Sequence, residues 1–148
     1  MARFAAGWKA RVPVLAASLW WGSLATTGFT VVPLLFAYLP TTALAGQVAA
    51  RLFTAQTWVS CGCGVMLLLA SRTGDDADPA SWLRASLAFV VGGLLLALIA
   101  EFGVAPRIVA RESLKLWHSV GSAMYLAQWL CSSVILWRAT QVRSAGPS

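Results

Sequence analysis

From Val12 to Ala50 the chain carries no Asp, Glu, Lys or Arg. This uncharged run of 39 residues is about twice the roughly 20 that one helix needs to cross the hydrocarbon of a bilayer. Two crossings must therefore share it. Pro40, Thr41 and Thr42 interrupt the apolar pattern and predict a turn, which gives spans over 13–39 and 43–70. A polar stretch over 71–83 follows, with Gly74, Asp75, Asp76, Asp78 and Pro79, and predicts a loop between two helical hairpins. Uncharged residues return from Ala85 to Ala100, predicting a third span over 84–104, and Leu116 to Trp137 predict a fourth over 116–137. The last residues, 139–148, read as a short flexible tail. The expected fold is an all-α integral membrane protein, a single domain over 1–148 built as a four-helix bundle of transmembrane helices.

Composition sharpens this picture. Hydrophobic residues make up 59% of the chain and charged residues only 11%, against roughly a quarter charged in a soluble domain. A core of this size cannot hide so much apolar surface, so the outside must be lipid. The net charge is +6, yet the basic residues sit at segment ends and form no stripe interleaved with aromatics. That excludes a nucleic-acid partner and favours the bilayer surface. With the N-terminus inside, the cytoplasmic side collects Arg3, Lys9, Arg11, Arg72, Arg84, Arg138 and Arg143, against Arg107, Arg111 and Lys115 outside. The expectation is a multi-pass protein of a bacterial inner membrane with both termini cytoplasmic. Trp8, Trp82 and Trp137 fall at inner ends, where amphipathic rings prefer to sit, while Trp20, Trp21, Trp58 and Trp129 lie deeper and are expected between helices. A basic start and the Ala43-Leu44-Ala45 sequence imitate a cleaved signal peptide. The apolar run is far longer than an h-region of about 7 to 15 residues, and span 1 reads as retained.

The two predicted hairpins resemble each other. Phe29 to Ala37 reads FTVVPLLFA and Phe102 to Ala110 reads FGVAPRIVA, and Ala55, Gln56 and Trp58 echo Ala127, Gln128 and Trp129. The alternative is chance similarity in an apolar background. A true repeat would run both units the same way across the bilayer, about an axis along the membrane normal.

Chemistry-bearing residues gather toward the outer side. Pro33 and Pro106 each remove a backbone donor, which would free the carbonyls of Phe29 and Phe102 four residues earlier; they mark either kinks or plain helix ends. Arg51, Glu101, Arg107 and His118 form a candidate polar cluster in the outer third, with Glu101 paired to Arg51 or Arg107 where water is scarce, or else all snorkelling to headgroups. Gln56, and on span 4 Ser122, Tyr125 and Gln128, form a candidate polar face that either lines a path or fastens helices together. Ser60, Gly62, Gly64, Gly92 and Gly93 offer small surfaces for close approach. Cys61 and Cys63 project about 200° apart on a helix and Cys131 stands alone on span 4, so no metal site is expected. One histidine cannot supply a two-histidine haem site, no cofactor is expected, and no nucleophile elbow, phosphate loop, HExxH or CxxC occurs.

The run LWWGSLATTGFTVVPLLFAYLPTTALAGQVAARLF, with Gly22, Gly28, Pro33, Phe36, Ala45, Gly46, Arg51 and Phe53, resembles the bacterial membrane family termed domain of unknown function 4149. That family is similar in turn to the eukaryotic transmembrane protein 205 family. The later APRIVARESLKLWHSVGSAMYLAQW, with Pro106, Trp117, His118 and Gln128, resembles the second half of the same pattern. The resemblance implies a four-helix membrane protein without a settled activity. A fainter likeness to copper-resistance membrane proteins is opposed by the scarcity of histidine and methionine, and the histidine signature of the small membrane protoporphyrinogen oxidases has no counterpart in Met1 to Val12. Three roles stay open: a module that binds or transports a small solute or ion, a helper subunit for membrane-protein partners or a second copy, and a haem or porphyrin redox protein.

Overall fold

The computed structural model describes residues 2–72, 81–110 and 113–144, with side chains over 11–72, 82–110 and 113–141. The first hairpin begins with helix α1 (Ala2–Thr26), which continues through a π-helical segment (Thr27–Val31) into α2 (Val32–Tyr38). The turn is set by Pro40. The residue before a proline is pushed to extended backbone, and Leu39 has φ −81° and ψ 145°. The Thr41 hydroxyl then accepts the Leu44 N–H at 3.2 Å, a side-chain cap for the start of α3 (Thr42–Arg72).

The second hairpin repeats this plan. Helix α4 (Ser81–Ala85) gives way at Ser86, whose hydroxyl donates back to the Trp82 carbonyl at 2.8 Å, and α5 (Leu87–Ile99) follows. A second π-helical segment (Ala100–Val104) leads into α6 (Ala105–Val109). The chain returns as α7 (Leu114–Ser144) after Ser113, which adopts φ 37°. Four stretches are long and apolar enough to cross a membrane: Arg11–Tyr38, Thr42–Arg72, Leu87–Val109 and Leu114–Gln141. They are spans 1 to 4 below, and no strand occurs among the described residues.

Each span packs against its neighbours in chain order, and span 4 closes back onto span 1, so spans 1 and 3 and spans 2 and 4 stand on the diagonals. The internal likeness extends to structure. The π-helical segments start at Thr27 and Ala100, and the prolines at 33 and 106 keep the same shift of 73 positions. Helices α3 and α7 are both 31 residues long, and their inward positions coincide: Gln56 with Gln128, Ser60 with Ser132, Cys63 with Ile135, Leu67 with Ala139, all buried. In the first and third spans, Pro13 matches Ser86, Ala17 matches Val90, and Leu24 matches Ala97, again all buried. On the diagonal, Trp20 lies over its own counterpart Gly93, where a Cβ would come 3.0 Å from the indole. One ring thus fills the space that two medium side chains would otherwise share.

The two ends of the molecule differ. At the linker end, beside Arg72 and Arg84, Leu67, Trp82, Leu83, Val90, Ile135 and Ala139 form a closed apolar core with Trp20 and Leu24. At the kinked end, beside Pro33 and Pro106, no side chain of Thr27–Tyr38 or Ala105–Val109 is buried. Ala45, Ala49 and Val104 are what is buried there.

Several boundary expectations change. Residues 71–83 are not all loop: α3 runs through Arg72 and α4 opens at Ser81, with Trp82 and Leu83 in the core because the apolar face of α4 packs on α7. Residues 73–80 lie outside the described part. The tail expected from residue 139 is helix to Ser144, since Ala139 is buried. Trp58 is 64% exposed, on the outer face of α3 and not between helices. Gly62 and Gly92 have open space where a Cβ would be, while Gly64 admits Leu94 and Gly93 admits Trp20. The Trp8 side chain falls outside the described residues.

Candidate functional site

Both prolines stand inside helical spans, two residues past a π-helical segment. The combination changes which carbonyl is stranded. In the π turn the Val32 N–H bonds the Thr27 carbonyl, and the Ala105 N–H bonds that of Ala100. The carbonyls of Gly28 and Glu101 thereby lose their i+4 donor, and at i+5 each meets a proline, which has no N–H. Helix continues past both prolines instead of ending at them, and the stranding of carbonyls begins one residue earlier than the α-helical register of Phe29 and Phe102 implied.

Halfway along the spans lies a layer of uncharged hydrogen-bonding side chains. Gln56 is its hub: its amide nitrogen donates to Ser23 Oγ at 2.9 Å and its carbonyl accepts from Thr27 Oγ1 at 3.3 Å. The Ser60 hydroxyl donates to the Gln56 backbone carbonyl at 2.9 Å, and the Gln128 amide reaches across the diagonal to Ser60 Oγ at 2.9 Å. Gln56, Thr57, Ser60, Gln128 and Ser132 are all buried. The shift of 73 that matches the first and third spans, one more than the 72 that matches Gln56 to Gln128, places Leu96 and Ala100 where Ser23 and Thr27 stand, so Gln128 meets no such partner on its own hairpin. It crosses instead. Buried amides without partners are costly in a medium that offers no water.

Aromatic rings flank this layer. Phe53 and Tyr125, another matched pair, meet edge to face at 5.3 Å, and Tyr125 donates its hydroxyl to the Leu24 carbonyl at 2.8 Å. The ring reaches that point only because residue 28 is glycine: a Cβ there would come 2.5 Å from Tyr125 Cε1. Trp129 stacks with Trp21 at 6.3 Å and meets Phe29 edge-on at 5.3 Å, while the Trp21 indole donates to Ser133. The indole nitrogens of Trp20 and Trp129 are buried without an acceptor among the described residues.

The charged cluster takes a different form from the one the sequence suggested. Glu101, half-buried, accepts a hydrogen bond from Thr54 Oγ1 at 2.8 Å, which ties span 3 to span 2. Its expected pairing with Arg51 is not what the structure shows. Thr54 is the nearer, shorter donor on that face, and Arg51, one turn away, is exposed. The Arg107 guanidinium lies over the Trp117 ring at 4.3 Å, and His118 is exposed. The polar face of span 4 divides: Tyr125 and Gln128 turn inward and Ser122 outward. Ser23, Thr27, Thr54 and Ser60 escaped the sequence reading of polar partners. Their signal was the i, i+4 spacing of Ser23 with Thr27 and of Gln56 with Ser60.

Cys63 is buried in the apolar core and Cys61 and Cys131 are half-buried, all three free. Among the described residues no group of three His, Cys, Asp or Glu side chains is placed to hold a metal ion. No curated protein and no solved structure is detectably similar to the chain. The sequence model of a family described as a domain of unknown function (DUF4149) matches residues 15–116, which hold most of the first span, all of the second and third, both π-helical segments and Glu101, and the chain belongs to that family.

Proposed function

We propose that the chain is a membrane module that binds a small solute or ion at its kinked end, with that end in the outer leaflet of a bacterial inner membrane and both termini cytoplasmic. The observation that carries this reading is Glu101, a carboxylate at the end of the uncharged run from Ala85 to Ala100 that accepts a hydrogen bond from Thr54 of the adjacent span. A charge within a span is costly and commonly serves a site. Arg51, Arg107 and His118 lie toward the same end of their spans, on exposed positions that a ligand can reach. The mid-span layer fits the role of a fastening, since its hydrogen bonds run between spans and leave the linker end closed.

The test uses the full chain in nanodiscs, with calorimetric binding to a panel of small anions, cations and zwitterions. At least one should bind saturably, and Arg107→Gln or Glu101→Gln should weaken it. A panel without binding, or binding unchanged in both variants, overturns the reading. Reporter fusions within residues 75–78 and after residue 148 should both read cytoplasmic; a periplasmic signal at either reverses the orientation.

A second reading, a helper subunit, draws on the large side chains left open near the kinked end, Phe102 at 66% and Val109 at 75% exposure. Photocrosslinking from position 102 in native membranes separates the two. A discrete heavier product favours the helper role, and lipid adducts alone oppose it.

A further inference from the structure

We propose that the helical turn carrying Glu101 binds one monovalent cation, through the Glu101 carboxylate, the Thr54 hydroxyl oxygen and the backbone carbonyls stranded before Pro106. This deepens the preceding reading and rests on it for the location of the working end.

The argument begins with donors and acceptors. The Ala105 N–H is committed to the Ala100 carbonyl, and residue 106 has no N–H. The Glu101 carbonyl therefore lacks both its i+4 and its i+5 donor, and the Phe102 carbonyl lacks its i+4 donor. Thr54 supplies one hydroxyl hydrogen, and it is spent on Glu101 Oε1. What remains on this turn is a surplus of oxygen lone pairs with a carboxylate among them. In lipid such a surplus needs a partner, and backbone carbonyls of interrupted membrane helices serve as ligands for small cations.

The first hairpin supplies the control within the same molecule. Its π-helical segment and proline strand the Gly28 carbonyl in the same way. There the matched position to Glu101 is Gly28, which adds no acceptor, and the matched position to Phe53 is Tyr125, which adds a hydroxyl 3.3 Å from where a Gly28 Cβ would stand. That hydroxyl gives its hydrogen to the Leu24 carbonyl, so the first hairpin meets a neutral phenol at this level and no carboxylate. The second has an apolar ring in its place and has gained a carboxylate.

The charge of the ligand follows from the count. One carboxylate balances one positive charge. Arg51 is exposed and Arg107 lies over the Trp117 ring, which leaves the carboxylate to balance the ion alone, and a divalent ion would stay uncompensated in a low-dielectric setting. Oxygen-only ligands suit a hard cation. A sodium or potassium ion and an ammonium group share this chemistry.

The experiment compares the melting of the full-length protein in nanodiscs of neutral lipid. Sodium, potassium, ammonium and N-methylglucamine chlorides are titrated at constant ionic strength. Saturable stabilisation by one of the first three over N-methylglucamine is expected, and the arm that responds identifies a metal ion or an ammonium group. Glu101→Gln should weaken the apparent affinity by about tenfold or more. Pro106→Ala, which restores an N–H, should weaken it as well, and Pro33→Ala should leave it unchanged. Equal melting in all four chlorides overturns the site, as does an undiminished response in Glu101→Gln. Should Glu101→Gln fail to fold, Thr54→Val decides in its place, by loss or persistence of the response. Equal melting alongside solute binding that still needs Arg107 would remove this site and leave the kinked end as the working end; loss of both would remove both.

Discussion

The two hairpins share a backbone and differ in how they satisfy it. In the first, Gln56 is answered by Ser23 and Thr27 from its own partner helix, and the bend at Gly28 is covered by the Tyr125 ring. In the second, Leu96 and Ala100 offer Gln128 nothing, so it reaches across the diagonal to Ser60, and the bend carries Glu101. The first hairpin satisfies its own amide; the second relies on the first for a partner to its amide. A matched frame therefore does not entail matched chemistry, and the positions where the two halves part are those where a specific role is to be sought.

The largest test of this comparison is Trp20→Ala. It removes the ring that fills the gap above Gly93, and the expected loss is about 3 to 5 kcal/mol, measured by reversible unfolding in mixed micelles. A loss comparable to an exposed aromatic such as Trp58→Ala would mean that the Trp20 and Gly93 diagonal is not part of the core. Next, Gly28→Ala forces Tyr125 aside and should lower stability by about 1 to 3 kcal/mol, whereas Glu101→Ala, at the matched position, should stay within about 0.5 kcal/mol in N-methylglucamine chloride. Equal effects would show that the two bends are packed alike.

Smaller effects separate the amides. Membrane hydrogen bonds average about 0.6 kcal/mol and reach about 1.7. Gln56→Leu breaks bonds to both Ser23 and Thr27 and should cost roughly 1 to 2 kcal/mol, while Gln128→Leu breaks the one to Ser60 and should cost about 0.6. Identical melting losses would make the two amides interchangeable. The smallest change is expected from Ser132→Ala, below about 0.6 kcal/mol, because that hydroxyl bonds the Trp129 carbonyl of its own helix. A larger loss would reveal that Ser132 also holds another span.

Much of this was legible in the chain. Charge spacing placed four spans, Pro40 placed the first turn, and the shared FxVxP pattern pointed to the repeat, because lipid imposes long uncharged runs and proline imposes extended backbone on its predecessor. The π-helical segments were not legible, since an inserted residue in a helix leaves no residue type behind. The interior hydroxyls were half-legible. Ser60 drew notice as a small residue, but its part as the acceptor for Gln128 depends on a diagonal that no local spacing encodes. The cluster at Arg51, Glu101, Arg107 and His118 was read by level along the spans. Level does not fix azimuth, and Thr54 lay closer to Glu101 around α3 than Arg51 did.

Span 3 has a mean hydropathy of 2.4, against 1.3 for spans 1 and 4 and 1.5 for span 2. During synthesis each segment is partitioned into the bilayer on its own transfer free energy, to which leucine, isoleucine, phenylalanine and valine contribute favourably at the helix centre and charged residues unfavourably. Leu87–Val109 meets that condition most readily of the four, with its charges Glu101 and Arg107 confined to one end, whereas Leu114–Gln141 carries Tyr125, Gln128, Ser132 and Ser133 into the same environment. The second hairpin is therefore delivered by its own first helix, which waits in the lipid as the template against which the more polar return helix enters.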